Sequence, residues 1–283
     1  MPTPPAPPVS NATYTHGHAE AVLRSHRWRT AENSAAYLLP QLLPGMSLLD
    51  VGCGPGTLTA DLAEHVTPGE VLGIDSASEV VAEARVRAAE RGAVNLSFQV
   101  ADLYTAELPE ASFDVVHAHQ VLQHVTDPIA ALIRMGALAK PDGLIAVRDC
   151  DYSAKTWAPR DPKLDRWLEL YHQVTRRNSA EADAGPHLLG WAQRAGLREI
   201  SFTSSNWAFA TPEDRRWWGQ LWAQRVIDSR FAEQAVSYGF SDAQELREIS
   251  GAWLGWSKAD DGVFIVVHGE IIARPPLRAG MTV

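Results

Sequence analysis

Short, predominantly apolar runs recur at 47–51, 70–74, 96–100, 113–118 and 144–148, with helix-like stretches set between them. Runs of this length in which apolar residues mostly follow one another belong in strands buried on both faces, as in a parallel sheet covered by helices on either side. The intervals supply those helices. Leu58, Leu62 and Val66 repeat every fourth residue, and Ser76 with Glu79 forms a capping box ahead of Val80, Ala84 and Ala88. Asp127-Pro128 offers a cap and a first-turn proline to a helix ending near Pro141. Upstream, the spacing from Ala21 to Leu42 predicts one helix over 19–43, stopped by Pro44-Gly45. Strands and helices in this order predict a doubly wound α/β sheet.

Beyond residue 149 the alternation loosens. Helices are expected at 162–182 and 186–195 and strands at 197–204 and 263–273, for seven strands, most of them parallel. About 50 residues, 211–261, separate the last two strands and carry helical periodicity, which marks an insertion rather than a loop. Five prolines among the first eight residues make 1–10 a flexible extension. Residues 11–44 then read as a helical arm or lid, and 45–283 as the main domain, with helical cap insertions at about 152–184 and 211–261.

A net charge of −9 repels phosphate backbones and anionic lipid, so neither nucleic acid nor a membrane surface is an expected partner. No apolar stretch reaches the length of a membrane span. The two cysteines, Cys53 and Cys150, lie far apart, and Cys53 falls inside a glycine-rich turn; this suits reduced thiols in a cytoplasmic chain.

That turn carries the clearest chemistry. Leu48-Leu49-Asp50-Val51-Gly52-Cys53-Gly54-Pro55-Gly56 ends a buried strand and opens a helix, where an open α/β sheet binds its ligands. The glycines stand at every second position, whereas a dinucleotide fingerprint needs its third glycine five after the first, where this chain has Thr57. Pyrophosphate is disfavoured further by Asp50, whose charge would suit an ammonium or sulfonium. Asp75 closes the second strand, where a carboxylate can accept from both hydroxyls of a ribose. Asp102-Leu103 follows the third and joins an acceptor for an exocyclic amine to an apolar side chain that can lie along a base. Each aspartate could instead merely cap a following helix.

With these residues the chain resembles the class I S-adenosylmethionine-dependent methyltransferases, in the branch that includes ubiquinone/menaquinone biosynthesis enzymes and acts on small molecules. The resemblance runs from about residue 46 to 147. It rests on Asp50 to Gly56, on Asp75, on Asp102-Leu103 and on the stretch Phe113 to Val125. It implies a Rossmann-like sheet and S-adenosyl-L-methionine as cofactor. The cofactor would be held by Asp50, Gly52, Cys53, Gly54, Gly56, Asp75, Ser76, Asp102, Leu103 and His119. Gly52 and His119 would offer backbone groups to the methionine amine, and Ser76 would flank the ribose or adenine. Magnesium-dependent relatives carry a carboxylate just past the fourth strand; Ala118-His119-Gln120 stands there, so no metal is expected.

Methyl transfer mainly requires that nucleophile, methyl carbon and sulfur be held in line, so a dedicated base is optional. If one acts, His119 and His124 at the mouth of the cofactor site are the candidates. Tryptophan is absent from 29–156 and concentrated beyond, so the cap is aromatic and suits an apolar or aromatic small-molecule substrate, although the same rings could simply staple helices to the sheet. Tyr14, Trp28, Tyr152 and Trp157 are the expected pocket residues. Two alternatives remain at this point: a nicotinamide-dependent oxidoreductase, and a ligand-binding protein without turnover.

Overall fold

The computed structural model describes Thr15, Gly17 and residues 20–277; the extension 1–10 and Tyr14 lie outside the described residues. The arm forms two short helices, α1 (Glu20–Arg27) and α2 (Ala31–Ser34), and a 3-10 turn at Leu39–Gln41. The single helix expected over 19–43 is therefore broken. Thr30 is extended and caps α2, its hydroxyl accepting from the Asn33 amide while the Asn33 side chain accepts from the Thr30 amide. A capping residue leaves the helix, so apolar periodicity survives on both sides of an interruption.

The sheet domain follows as β1 (Leu48–Val51), α3 (Thr57–Val66), β2 (Val71–Asp75), α4 (Ser78–Glu90), β3 (Leu96–Val100), β4 (Phe113–His119), α5 (Pro128–Leu138) and β5 (Ala139–Ala158). Then come α6 (Pro162–Arg177), α7 (Ala184–Arg194), β6 (Arg198–Phe209), α8 (Pro212–Arg225), α9 (Arg230–Ser237), α10 (Ala243–Trp256) and β7 (Val263–Arg274). The seven strands form one sheet in the order β3-β2-β1-β4-β5-β7-β6; β7 runs antiparallel to both its neighbours and the first five strands are parallel. The order reverses between β1 and β4, which opens a crevice at their carboxyl ends. Consecutive residues face opposite layers: Leu48 packs with Leu58, Leu62 and Val66 of α3, Leu49 and Val51 with Leu132 and Met135 of α5.

Two local expectations fail. The Ser76/Glu79 capping box does not form, because α4 starts at Ser78 behind Ala77 with no side-chain cap, and Asp75 takes the Ala77 amide instead. The fifth strand runs well past 148, since β7 lies beside it and pairs Trp157 with Phe264 and Ala158 with Val263 beyond a register shift between Asp151 and Thr156. The first cap insertion, expected from about 152, thus begins as strand; helix resumes only at α6, where Asp161 caps and Pro162 leads.

Helices α6, α8, α9 and α10 close over an aromatic core. Trp167 lies at its centre, fully buried, with ring centroids 4.6 Å from Trp222 and 5.0 Å from Trp253. Most of the cap tryptophans meet one another here rather than a cavity.

Candidate functional site

The turn after β1 has glycine for two different reasons. Gly52 has a φ of +67°, and a Cβ there would stand 2.5 Å from Val121 Cγ2. Gly56 is also left-handed, but a Cβ there would strike Phe98 and Ala84 at 2.7 and 2.9 Å. Gly56 therefore serves the packing of α3 on β3 and α4 and does not line the cavity, contrary to its expected cofactor role.

Between them the Gly54 amide donates to Asp75 Oδ2 at 3.1 Å, while Asp75 Oδ1 accepts from the Ala77 amide at 3.0 Å. Asp102 Oδ1 accepts from the Tyr104 amide at 2.8 Å. Each carboxylate is thus held by backbone yet keeps lone pairs to spare, since an ionised carboxylate accepts about four bonds. Asp50 behaves differently. It is buried, accepts from Thr59 Oγ1 at 2.6 Å, and pairs with His117 Nδ1 at 2.7 Å. Its charge ties β1 to α3 and β4, so the attraction for a cationic ligand expected of it is largely met inside the protein.

A cavity of about 210 Å³ opens over these strand tips. Asp50, Gly52, Cys53, Gly54, Asp75, Ser76, Asp102, Leu103, His119 and His124 all stand on its wall. The geometry converges from three consecutive strand ends on one cleft.

Of the two candidate bases, His119 is buried and His124 half-buried. His119 lies with its ring centroid 5.8 Å from Trp207 and 6.2 Å from His268; burial, then the charges of Arg29 and Arg148, hold it well below the usual imidazole value. Burial pushes His124 down to about 3, with Arg29 and Arg225 adding to the effect. Rings this reluctant to take a proton are poor bases near neutral pH. The role expected of His119 and His124 finds no support in their surroundings.

A second, narrower chamber of about 30 Å³ adjoins the first. Trp28 and Tyr152 line it with Cys150, Lys155, Trp207 and Trp222. His26, Arg29, Gln120 and His124 face both chambers. Trp157 does not reach it: its ring stacks on Phe264 at 5.6 Å within the cap core. The pocket role expected of Trp157 is thereby corrected, because the extended β5 turns that side chain toward α6 and β7.

Comparison with known proteins decides the family. A methyltransferase-domain family profile matches residues 42–208. An uncharacterised methyltransferase of Schizosaccharomyces pombe is 31% identical over 94% of this chain and 98% of its own length. The chain belongs to the class I S-adenosylmethionine-dependent methyltransferases. S-adenosylmethionine is the cofactor of this methyltransferase, and the oxidoreductase alternative is set aside. A ubiquinone biosynthesis O-methyltransferase of Colwellia psychrerythraea is 32% identical over 55% of this chain and 62% of its own. Among solved structures, Haemonchus contortus phosphoethanolamine N-methyltransferase 2, in complex with phosphomonomethylethanolamine and S-adenosylhomocysteine, matches with a TM-score of 0.58. It covers 92% of this methyltransferase and 58% of the other chain at 15% identity, a likeness of fold.

Several wall residues of the methyltransferase carry no local pattern. Arg29 donates to Gln120 Oε1 at 2.6 Å, and Gln120, with a φ of +54°, lies 2.9 Å from His268 Nε2. Lys155, Trp207 and Arg225 enter from β5, β6 and α8, and no spacing in the chain announces that they meet.

Proposed function

We propose that this methyltransferase binds its cofactor in the first chamber and methylates a small apolar or aromatic molecule admitted to the second. The observation that carries this reading is the wall of four side chains common to both chambers. The donor set fits the cofactor. Asp75 and Asp102 present unfilled acceptor capacity to a cleft, which answers to hydroxyl and amine donors, and Leu103 beside them answers to a flat apolar base.

In this reading Asp75 holds the ribose hydroxyls, Asp102 the adenine amine and Leu103 the ring face. Bare backbone at Gly52 to Gly54 receives the amino-acid end, and Arg29 at the cavity edge meets its carboxylate. The cofactor supplies an electrophilic methyl group on a sulfonium. The chain's own part is orientation and exclusion of water: Gln120 and the neutral ring of His124 separate the chambers, and Trp28, Trp207 and Trp222 wall the acceptor side. The second chamber is narrow, so entry of an acceptor requires α1, which contributes Ser25 and His26, to give way.

The test is a metabolite screen with isotopically labelled methyl donor, read by mass. Label in a small product supports the reading; label that appears only in RNA or protein substrates overturns it.

A further inference from the structure

Among its 25 basic residues this chain has four lysines, and three of them, Lys140, Lys163 and Lys258, lie at the surface. The fourth, Lys155, is only 5% exposed and faces the second chamber. Strand β5 carries it inward across the register shift. Its Nζ lies 2.9 Å from the centroid of the Tyr152 ring, with Trp167, Trp222 and Tyr171 at 5.5, 5.6 and 6.0 Å. Aromatic faces surround the amine, and among the described residues no acceptor bonds it. The nearby acids are engaged elsewhere: Asp151 accepts from the Ala154 amide, and Asp183 from Ser153 and His172.

We propose that Lys155 takes the proton from an acidic oxygen of the acceptor, a phenol or enol, and so makes the second chamber selective for that class; this rests on the reading of that chamber as the acceptor site. An arginine would stay charged however deeply buried, whereas a lysine amine can become neutral and act as a base. Burial pushes Lys155 down to about 7. Arg225 of α8 adds to the fall, while the carboxylates of Asp183 and Asp151 oppose it. Cys150 is driven up to about 11 by burial and stays a neutral thiol. In the step, the acceptor's O–H bond breaks, an N–H bond forms on neutral Lys155, and an oxyanion and an ammonium result. The aromatic faces favour that ammonium and the dry walls strengthen its attraction for the oxyanion. The other cations on the wall, Arg29 and Arg225, are guanidiniums that already donate, Arg29 to Gln120 Oε1 and Arg225 to the Ala21 carbonyl and Ser25 Oγ, which leaves Lys155 as the cation that changes protonation. His124, on the shared wall, is too weakly basic to compete.

The experiment uses two dyes of the same shape, 4-nitrophenol and 4-nitroanisole, of which only the first can ionise. They are titrated into the full chain saturated with S-adenosylhomocysteine, at a pH where free 4-nitrophenol is mostly protonated. The expected result is a phenolate absorption band on binding and an affinity at least about tenfold above that for 4-nitroanisole. Lys155→Met should remove both the band and the preference while leaving S-adenosylhomocysteine affinity within about threefold. Equal affinity for the two dyes, a bound nitrophenol that stays neutral, no dye binding at all, or unchanged discrimination in Lys155→Met would each overturn the proposal. If Lys155→Met does not fold, the dye pair on the wild-type protein decides alone. Failure of S-adenosylhomocysteine to bind would instead strike the cofactor-site reading, so the two failures are distinguishable.

Discussion

The two chambers are built by opposite means. The first is made at the ends of β1, β2 and β3 by a bare-backbone bend and two short acids, each held by main-chain amides a few residues away or one strand over. The second is made largely by side chains from α1 and the residues after it, β5, β6, α8 and β7, residues from 25 to 266 in the chain. One site is therefore a property of strand order and turn geometry, and the other a property of which large side chains the cap happens to carry. A fold organised this way can alter what it methylates without disturbing how it holds the methyl donor.

If that division is real, damage to one region should spare the other. The largest effect is expected from Trp167→Ala, which empties the centre of the cap core and should cost about 3–5 kcal/mol in denaturant unfolding. Calorimetry on the folded variant should still find S-adenosylhomocysteine bound within about threefold of wild type; a parallel loss would break the comparison. Asp75→Ala should do the converse. Removal of a carboxylate that would hold two ribose hydroxyls and the Gly54 amide should weaken S-adenosylhomocysteine by about 100-fold, near 3 kcal/mol, with dye binding at the second chamber read separately.

Gly52→Ala comes next. The left-handed backbone costs an alanine about 1–2 kcal/mol, and the approach to Val121 adds to it, so the melting temperature should fall; Val121→Ala should restore only the steric part. The smallest effect is the acid response of His124→Gln. The folded protein keeps His124 neutral down to about 3, whereas the unfolded chain takes up a proton as pH falls through about 6.5. Stability should thus decline with falling pH in the wild type, by about 1 kcal/mol more than in the variant at pH near 5.5. Melting curves that stay parallel between pH 7 and 5.5 would show that this ring is not held neutral.

What the chain's letters reveal follows the same division. The apolar runs, the glycine spacing and the positions of Asp75 and Asp102 are local signals, because a parallel strand and its following turn are specified within about ten residues. Gly56 was misleading for a local reason as well: a glycine demanded by Phe98 and Ala84 looks the same in sequence as one demanded by a ligand. The length of β5 was hidden because its pairing partner, β7, comes more than 100 residues later. Trp157 and Lys155, two positions apart on that strand, took opposite assignments, one to the cap core and one to the chamber. The one clue to Lys155 was compositional, a lysine next to apolar and aromatic neighbours in a chain that otherwise prefers arginine.

The wall of His26, Arg29, Gln120 and His124 has a thermodynamic corollary. Filling either side of a common partition shifts the partition, so occupancy of one compartment becomes a variable in the affinity of the other. Such linkage is reciprocal: whatever factor the adenosyl ligand contributes to acceptor binding, the acceptor must return to the adenosyl ligand.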